Sequence, residues 1–141
     1  KVIAVSSGNN KEYVMNELQA DHFVDYKKEK PGEAIDEKVD LVFDMVGGGQ
    51  LQEAHKLVKP GGKVVSIAGK IKDITLLKEE NKSFHYVFVE PHSRQLDELK
   101  ELSDEGRIKP HVQEVFSLED MKQAHKLIES GHTRGKIAVS I

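Results

Sequence analysis

Apolar positions along the chain follow two alternating rhythms. Short runs rich in β-branched residues occupy 2–6, 23–25, 39–44, 63–68, 83–90 and 136–141, and they read as strands. Between them, 11–18, 51–58, 95–104 and 118–129 carry apolar residues at helical spacing, with Leu96, Leu99 and Leu102 marking one face of the third. This alternation predicts an α/β fold. The early strands VIAV and LVF are almost continuously apolar, which predicts parallel strands covered on both faces at the centre of a sheet.

Punctuation fits these elements. Asn9 or Asn10 is placed to cap the first helix, Ser117 with Asp120 three residues on resembles a capping box, and Gly61, Gly106 and Gly131 stand where helices should stop. Residues 27–38 form a charged stretch with Pro31 and Gly32, expected to be a solvated loop. The string AHKL occurs twice, each time in what reads as a helix, a glycine stop and a strand. Two copies of so common a unit need no shared ancestry.

Composition narrows the classes. With 141 residues the chain fits one domain, and 24 acidic against 21 basic side chains leave a net charge of −3. Neither sign dominates as a nucleic-acid or membrane-surface partner would require, and no apolar run approaches the roughly 18–20 residues of a membrane span. The absence of Cys excludes disulfides, thiolate metal ligands and thiol nucleophiles, and suits a cytoplasmic protein. Seven histidines are scattered without a short ligand spacing, so no metal site is expected. The chain opens inside a strand with no initiator Met, as a piece of a longer protein would.

Parallel α/β sheets bind ligands beyond the carboxyl ends of their strands. The residues at those ends are Ser6, Ser7 and Gly8; Tyr26; Met45, Val46 and Gly47; and Ala68, Gly69 and Lys70. Most are small or hydroxylic, which lets a bulky ligand lie flat. A carboxylate after the second strand of a dinucleotide fold accepts hydrogen bonds from the adenine ribose and repels a 2′-phosphate. Ser6 and Ser7 stand there instead, with Lys11 one short turn on and the Tyr26 hydroxyl after the next strand, a set that favours NADP(H). The stretch VDLVFDMVGGGQLQEAHKLVKPGGKVVSIAG leaves two readings open, because nicotinamide-dependent dehydrogenases and S-adenosylmethionine methyltransferases share its pattern.

Over essentially its whole length, from KVIAVSSGNNKEYVMNELQADHFVDYKKE through VDLVFDMVGG, KPGGKVVSIAG and SFHYVFVEPHSRQLDELKELSDEGRIKP to VFSLEDMKQAHKLIESGHTRGKIAVSI, the chain resembles the C-terminal, cofactor-binding part of the medium-chain dehydrogenase/reductase superfamily. The likeness is to its zinc-independent quinone oxidoreductase-like members. It implies a partial Rossmann-like, doubly wound, mostly parallel sheet that lacks the first strand and its glycine-rich loop. It also implies an NADPH-dependent oxidoreductase that transfers hydride to quinones, enones or similar activated double bonds, working as a homo-oligomer without nucleic-acid or membrane partners. By carry-over, Ser7, Lys11 and Tyr26 resemble the 2′-phosphate contacts, with Ser6 beside them. Val46 and Gly47 resemble residues near the cofactor ribose, Ala68 and Gly69 stand at the nicotinamide end, and Phe88 and Val89 lie near its ring. Arg134 and Lys136 are weaker candidates, and Phe88 and Val89 equally suit plain strand core.

On this resemblance residues 1–116 form a truncated NADP-binding domain, and residues 117–141 supply a helix and strand that return to a catalytic domain outside this chain. A sheet without its first strand leaves two central edges unpaired, so the chain is expected to rearrange its strand order or to pair edges with another copy. Alone it is expected to be inactive. A methyltransferase fragment and a non-catalytic, crystallin-like module are the other readings.

Overall fold

A computed structural model describes residues 1–141, apart from the side chain of Leu76. The chain forms two compact units, Lys1–Val89 and Glu90–Ile141. Every strand pair in both is parallel.

The first unit begins with β1 (Ile3–Ser6), which pairs with β2 (His22–Asp25) in a two-stranded sheet. The connection contains a 3-10 turn at Gly8–Asn10 and a wide π-type turn at Tyr13–Glu17, closed by the Leu18 N–H on the Tyr13 carbonyl at 3.1 Å. Asp21 ties the start of this pair together. Its carboxylate accepts the Val2 N–H at 2.6 Å, and that bond is the main reason its pKa lies below the usual value.

A second sheet runs β3 (Val39–Asp44), β4 (Val58–Ser66), β5 (Ser83–Tyr86) in that order. The short helices α1 (Pro31–Ala34), α2 (Gly48–Glu53) and α3 (Thr75–Glu79) lie in the connections. Leu51, Ala54, Val58, Val64, Ile71 and Leu77 form the buried core, flanked by Val39, Val42 and Phe84. Removing this apolar surface from water anchors α2 onto the sheet. The Lys82 side chain is almost fully buried too, and its ammonium donates to the His55 carbonyl at 2.8 Å and pairs with Glu80. That satisfies a carbonyl in the helical turn Ala54–Lys56 that follows α2.

In the second unit, α4 (Ser93–Asp104) precedes β6 (Val112–Ser117), a 3-10 turn at Leu118–Asp120, α5 (Met121–Glu129) and β7 (Lys136–Ser140). β6 pairs with β7, and Phe116 and Ala124 are buried. Gly106 and Gly131, each at φ +69°, end the two helices as the sequence suggests.

Several expectations are corrected. β4 starts five residues earlier than expected, because Lys59-Pro-Gly-Gly is extended rather than a turn. Gly61 is therefore no helix stop; it sits at φ +80° inside the strand, where the register to β3 shifts from Val39↔Val58 to Leu41↔Lys63. Gly62 is needed for its small size, since a Cβ there would press on the Val58 side chain and lie 2.7 Å from the Asp40 carbonyl oxygen. β5 stops at Tyr86, the charged stretch 27–38 contains α1 with Pro31 in its first turn, and β6 was not foreseen.

VIAV and LVF do not lie at the centre of a sheet. β1 pairs only with β2 and β3 only with β4, so each is an edge strand, and Leu41 and Phe43 are half exposed. Nor is the strand order rearranged within the chain. Each parallel pair joins strands that are consecutive in sequence within the first unit, leaving none free to fill the open edges.

Candidate functional site

The β1 tip is hydroxyl-bearing, as expected. Asn10 does not cap a helix with its side chain; its amide donates to the Ser6 hydroxyl at 3.0 Å and to the Ser7 hydroxyl at 3.4 Å. Parallel pairing puts Asp25 in register with Ser6, and the Tyr26 N–H donates to the Ser6 carbonyl at 3.3 Å, which brings Tyr26 beside the serines. Lys11 is exposed one turn on. The tip is not purely neutral, however. The Asp25 carboxylate accepts the Lys27 N–H at 3.1 Å and faces Gly8 so closely that a Cβ there would lie 2.5 Å from it. Sequence reasoning looked for a carboxylate along β1 and missed the one that β2 supplies across the sheet.

Tyr26 also lines a cavity of about 440 Å³ together with Lys30, Glu33, Gln50, Glu53 and Lys56. Its charges are internally matched. Lys30 pairs with Glu33 at 3.5 Å, and a hydrogen bond from Lys56 holds Glu53 below the usual carboxylate range.

The tips of β3 and β4 are locked to each other. Asp44 and Ser66 are register partners that end their strands, and the Ser66 hydroxyl, in a fully buried residue, donates to the Asp44 carboxylate at 2.6 Å. That carboxylate also accepts the Gly47 N–H at 3.0 and 3.1 Å and the Val46 N–H at 3.4 Å. The Ser66 oxygen in turn accepts the N–H groups of Ala68 at 3.2 Å and Gly69 at 3.1 Å. Gly47 has φ +76° and ψ −152°, and a Cβ on it would lie 3.3 Å from the Ala68 carbonyl oxygen. Four expected site residues, Val46, Gly47, Ala68 and Gly69, are thus gathered at one place. The residues that gather them were not foreseen, because Ser66 gains its meaning only from the strand register.

A family model described as zinc-binding dehydrogenase matches residues 18–139. The chain belongs to the zinc-binding dehydrogenase family. Among the relatives of this chain is the mitochondrial "NAD(P)H oxidoreductase RTN4IP1" of Danio rerio, 33% identical over 99% of this chain and 42% of that protein. The chloroplastic "NADPH-dependent alkenal/one oxidoreductase" of Arabidopsis thaliana is 30% identical over 97% of this chain and 33% of its own length. The quinone oxidoreductase structure from Coxiella burnetii superposes with a TM-score of 0.85 at 26% identity, over all of this chain and 45% of that one. The expected resemblance and the parallel α/β class both hold. This chain spans less than half the length of each of these three proteins.

The dehydrogenase-family chain presents its other candidate residues separately. Phe88 and Val89 are largely exposed just beyond β5, where the Val87 N–H bonds the Ser66 carbonyl at 2.9 Å. They are not plain strand core. Arg134 belongs to the second unit, in the turn before β7, and its N–H donates to the Gln113 side chain at 2.5 Å. Lys136 opens β7 and donates its N–H to the His111 carbonyl at 2.9 Å. The family description names zinc, but the donor set here does not fit it: the chain has no Cys, and among the described residues no three His, Asp or Glu side chains converge. No helix among the described residues is long and apolar enough to cross a membrane.

Proposed function

We propose that this chain is the cofactor-binding part of an NADPH-dependent oxidoreductase that reduces quinones, enones or similar activated double bonds. The observation that carries the reading is the cluster of small residues at the β3 and β4 tips. There Gly47 lets the two loops approach each other closely, since a Cβ on it would lie 3.3 Å from the Ala68 carbonyl oxygen, on a chain whose relatives include proteins named for NAD(P)H and NADPH. The residues fit a nicotinamide dinucleotide. Ser6, Ser7, Lys11 and Tyr26 would receive the adenosine end with its 2′-phosphate, and Val46, Gly47, Ala68, Gly69, Phe88 and Val89 the nicotinamide half. When bound, the cofactor supplies hydride; this chain's residues orient it.

In this reading residues 1–116 hold the cofactor, while residues 117–141, with Arg134, return to a catalytic domain that supplies the substrate pocket. The 141 residues alone give no turnover. The open edges of β1 and β3, with Leu41 and Phe43 exposed, support self-association. The relatives' names include mitochondrial and chloroplastic proteins, so residence in an organelle stands beside the cytoplasmic assignment.

The test is an NMR titration of the 15N-labelled chain with NADPH, NADH and S-adenosylmethionine, which registers even millimolar binding. NADPH is expected to move the amides of Ser7, Lys11, Tyr26, Gly47 and Gly69, NADH only the last two, and S-adenosylmethionine none. Tighter binding of NADH than NADPH, consistent with the Asp25 carboxylate beside Gly8, would overturn the NADP assignment. Shifts from S-adenosylmethionine alone would overturn the whole reading.

A further inference from the structure

We propose that Asp44 and Ser66 are positioning residues that make the β3 and β4 tips a surface of hydrogen-bond acceptors, suited to the hydroxyl- and amide-bearing half of a ligand and unsuited to phosphate. The ligand class rests on the proposed nicotinamide function; the positioning role rests on geometry alone. The clasp engages four backbone donors at once: Val46 and Gly47 give their N–H groups to Asp44, and Ala68 and Gly69 give theirs to Ser66. The Ser66 hydroxyl proton joins the halves at 2.6 Å, so the carboxylate and the hydroxyl oxygen polarise one another's bonds.

The peptides here are all trans, so each N–H lies opposite the carbonyl of the preceding residue. Turning the N–H groups of 46, 47, 68 and 69 inward turns the carbonyls of Met45, Val46, Ile67 and Ala68 away from the clasp. Met45, Val46, Ile67 and Ala68 are exposed residues, and the Ala68 carbonyl packs beside the buried Gly47. A phosphate needs N–H donors, and the N–H groups of Val46, Gly47, Ala68 and Gly69 are already engaged in the clasp. Hydroxyl and carboxamide groups donate, and a ligand's ribose or amide is what such a rim can hold.

Ser66→Ala removes both the proton that reaches Asp44 and the acceptor for Ala68 and Gly69. Asp44→Asn, nearly isosteric, is the second variant should Ser66→Ala not fold. Amide hydrogen exchange on the 141-residue chain reads the clasp with no ligand present. In Ser66→Ala, exchange at Ala68 and Gly69 should speed up about 10-fold or more. Gly47 should follow although its own acceptor remains, while Ala4 and Val5 in β1 stay unchanged. Uniform acceleration throughout the first unit, or none at Gly47, would overturn the positioning role.

The ligand class is read from amide shifts with NADPH, 2′,5′-ADP and inorganic phosphate. NADPH should move Gly47 and Gly69 and bind Ser66→Ala several-fold more weakly, while 2′,5′-ADP, which lacks the nicotinamide ribose, is unaffected. Phosphate or 2′,5′-ADP shifting those amides would overturn the acceptor surface. An unliganded clasp that passes the exchange test in a chain blind to NADPH would refute the nicotinamide reading and leave the positioning role standing.

Discussion

Three consecutive glycines at the start of α2 should answer very differently to the same added methyl group. Gly47, at φ +76° and ψ −152°, lies in a region open essentially to glycine alone, so Gly47→Ala should destabilise by about 3 kcal/mol. The contact at 3.3 Å from the Ala68 carbonyl oxygen adds to that strain. Gly48, at φ +68°, has open space around it, and Ala there costs only the left-handed penalty of about 1 kcal/mol. Gly49 has neither a positive φ nor a neighbour within 4 Å, so Ala should stabilise the helix by about 0.5 kcal/mol. With a urea slope of about 2 kcal/mol/M, the midpoints should move by about −1.5, −0.5 and +0.25 M. Urea titrations followed at the amide resonances of Val64 and Val65 report the first unit specifically. Equal shifts for Gly47→Ala and Gly49→Ala, or a reversed order, would refute the link between backbone geometry and the tip.

Leu51→Ala removes a fully buried side chain that also lies 3.6 Å from where a Cβ of Gly69 would be, and should destabilise by about 3 kcal/mol, visible as a lowered urea midpoint at Val64. Lys82→Met should destabilise by about 2 kcal/mol, because the His55 carbonyl loses a buried charged donor, and Lys82→Arg should recover part of that loss in the same titration. The Asp21 pKa is lowered chiefly by the Val2 N–H, so its stabilising effect is complete above the ordinary value of 3.8 and disappears as the pH falls through the lower folded value. Asp21→Asn should therefore flatten the acid limb of a stability-against-pH curve below about pH 4. Gly8→Ala should displace the Asp25 carboxylate and shift the Asp25 and Lys27 amide resonances while leaving those of β4 in place.

Local pattern carried the sequence reading where an element answers only to its own residues. VDLVFD is a strand because the apolar run Leu41-Val42-Phe43, with Val39 before it, contains no Gly or Pro to break it, and its expected bounds match the structure at both ends. The start of β4 was misread for the opposite reason: Pro60-Gly61-Gly62 looks like a turn, and only the neighbouring β3 backbone, too close for a Cβ at Gly62, explains why the chain runs straight there. β6 escaped notice because Gln113 and Glu114 interrupt its apolar residues, and pairing with β7 supplies the order that composition does not.

The strand tips divide along the same line. Small and hydroxylic residues after parallel strands can be found by reading forward from each strand, and Ser6, Ser7, Gly47, Ala68 and Gly69 were found that way. Their chemical character depends on what stands one strand over. Asp25 in register with Ser6 puts a negative charge beside a tip that looked neutral. Ser66 in register with Asp44, 22 positions away in sequence, turns the N–H groups of Val46, Gly47, Ala68 and Gly69 inward. A shift of one residue between β3 and β4 would send Ser66 to the opposite face and dissolve the clasp. The proposed ligand preference at these tips is therefore a property of register, and the bulge around Gly61, which resets the β3–β4 pairing upstream of Ser66, would set it from about 16 Å along the strand.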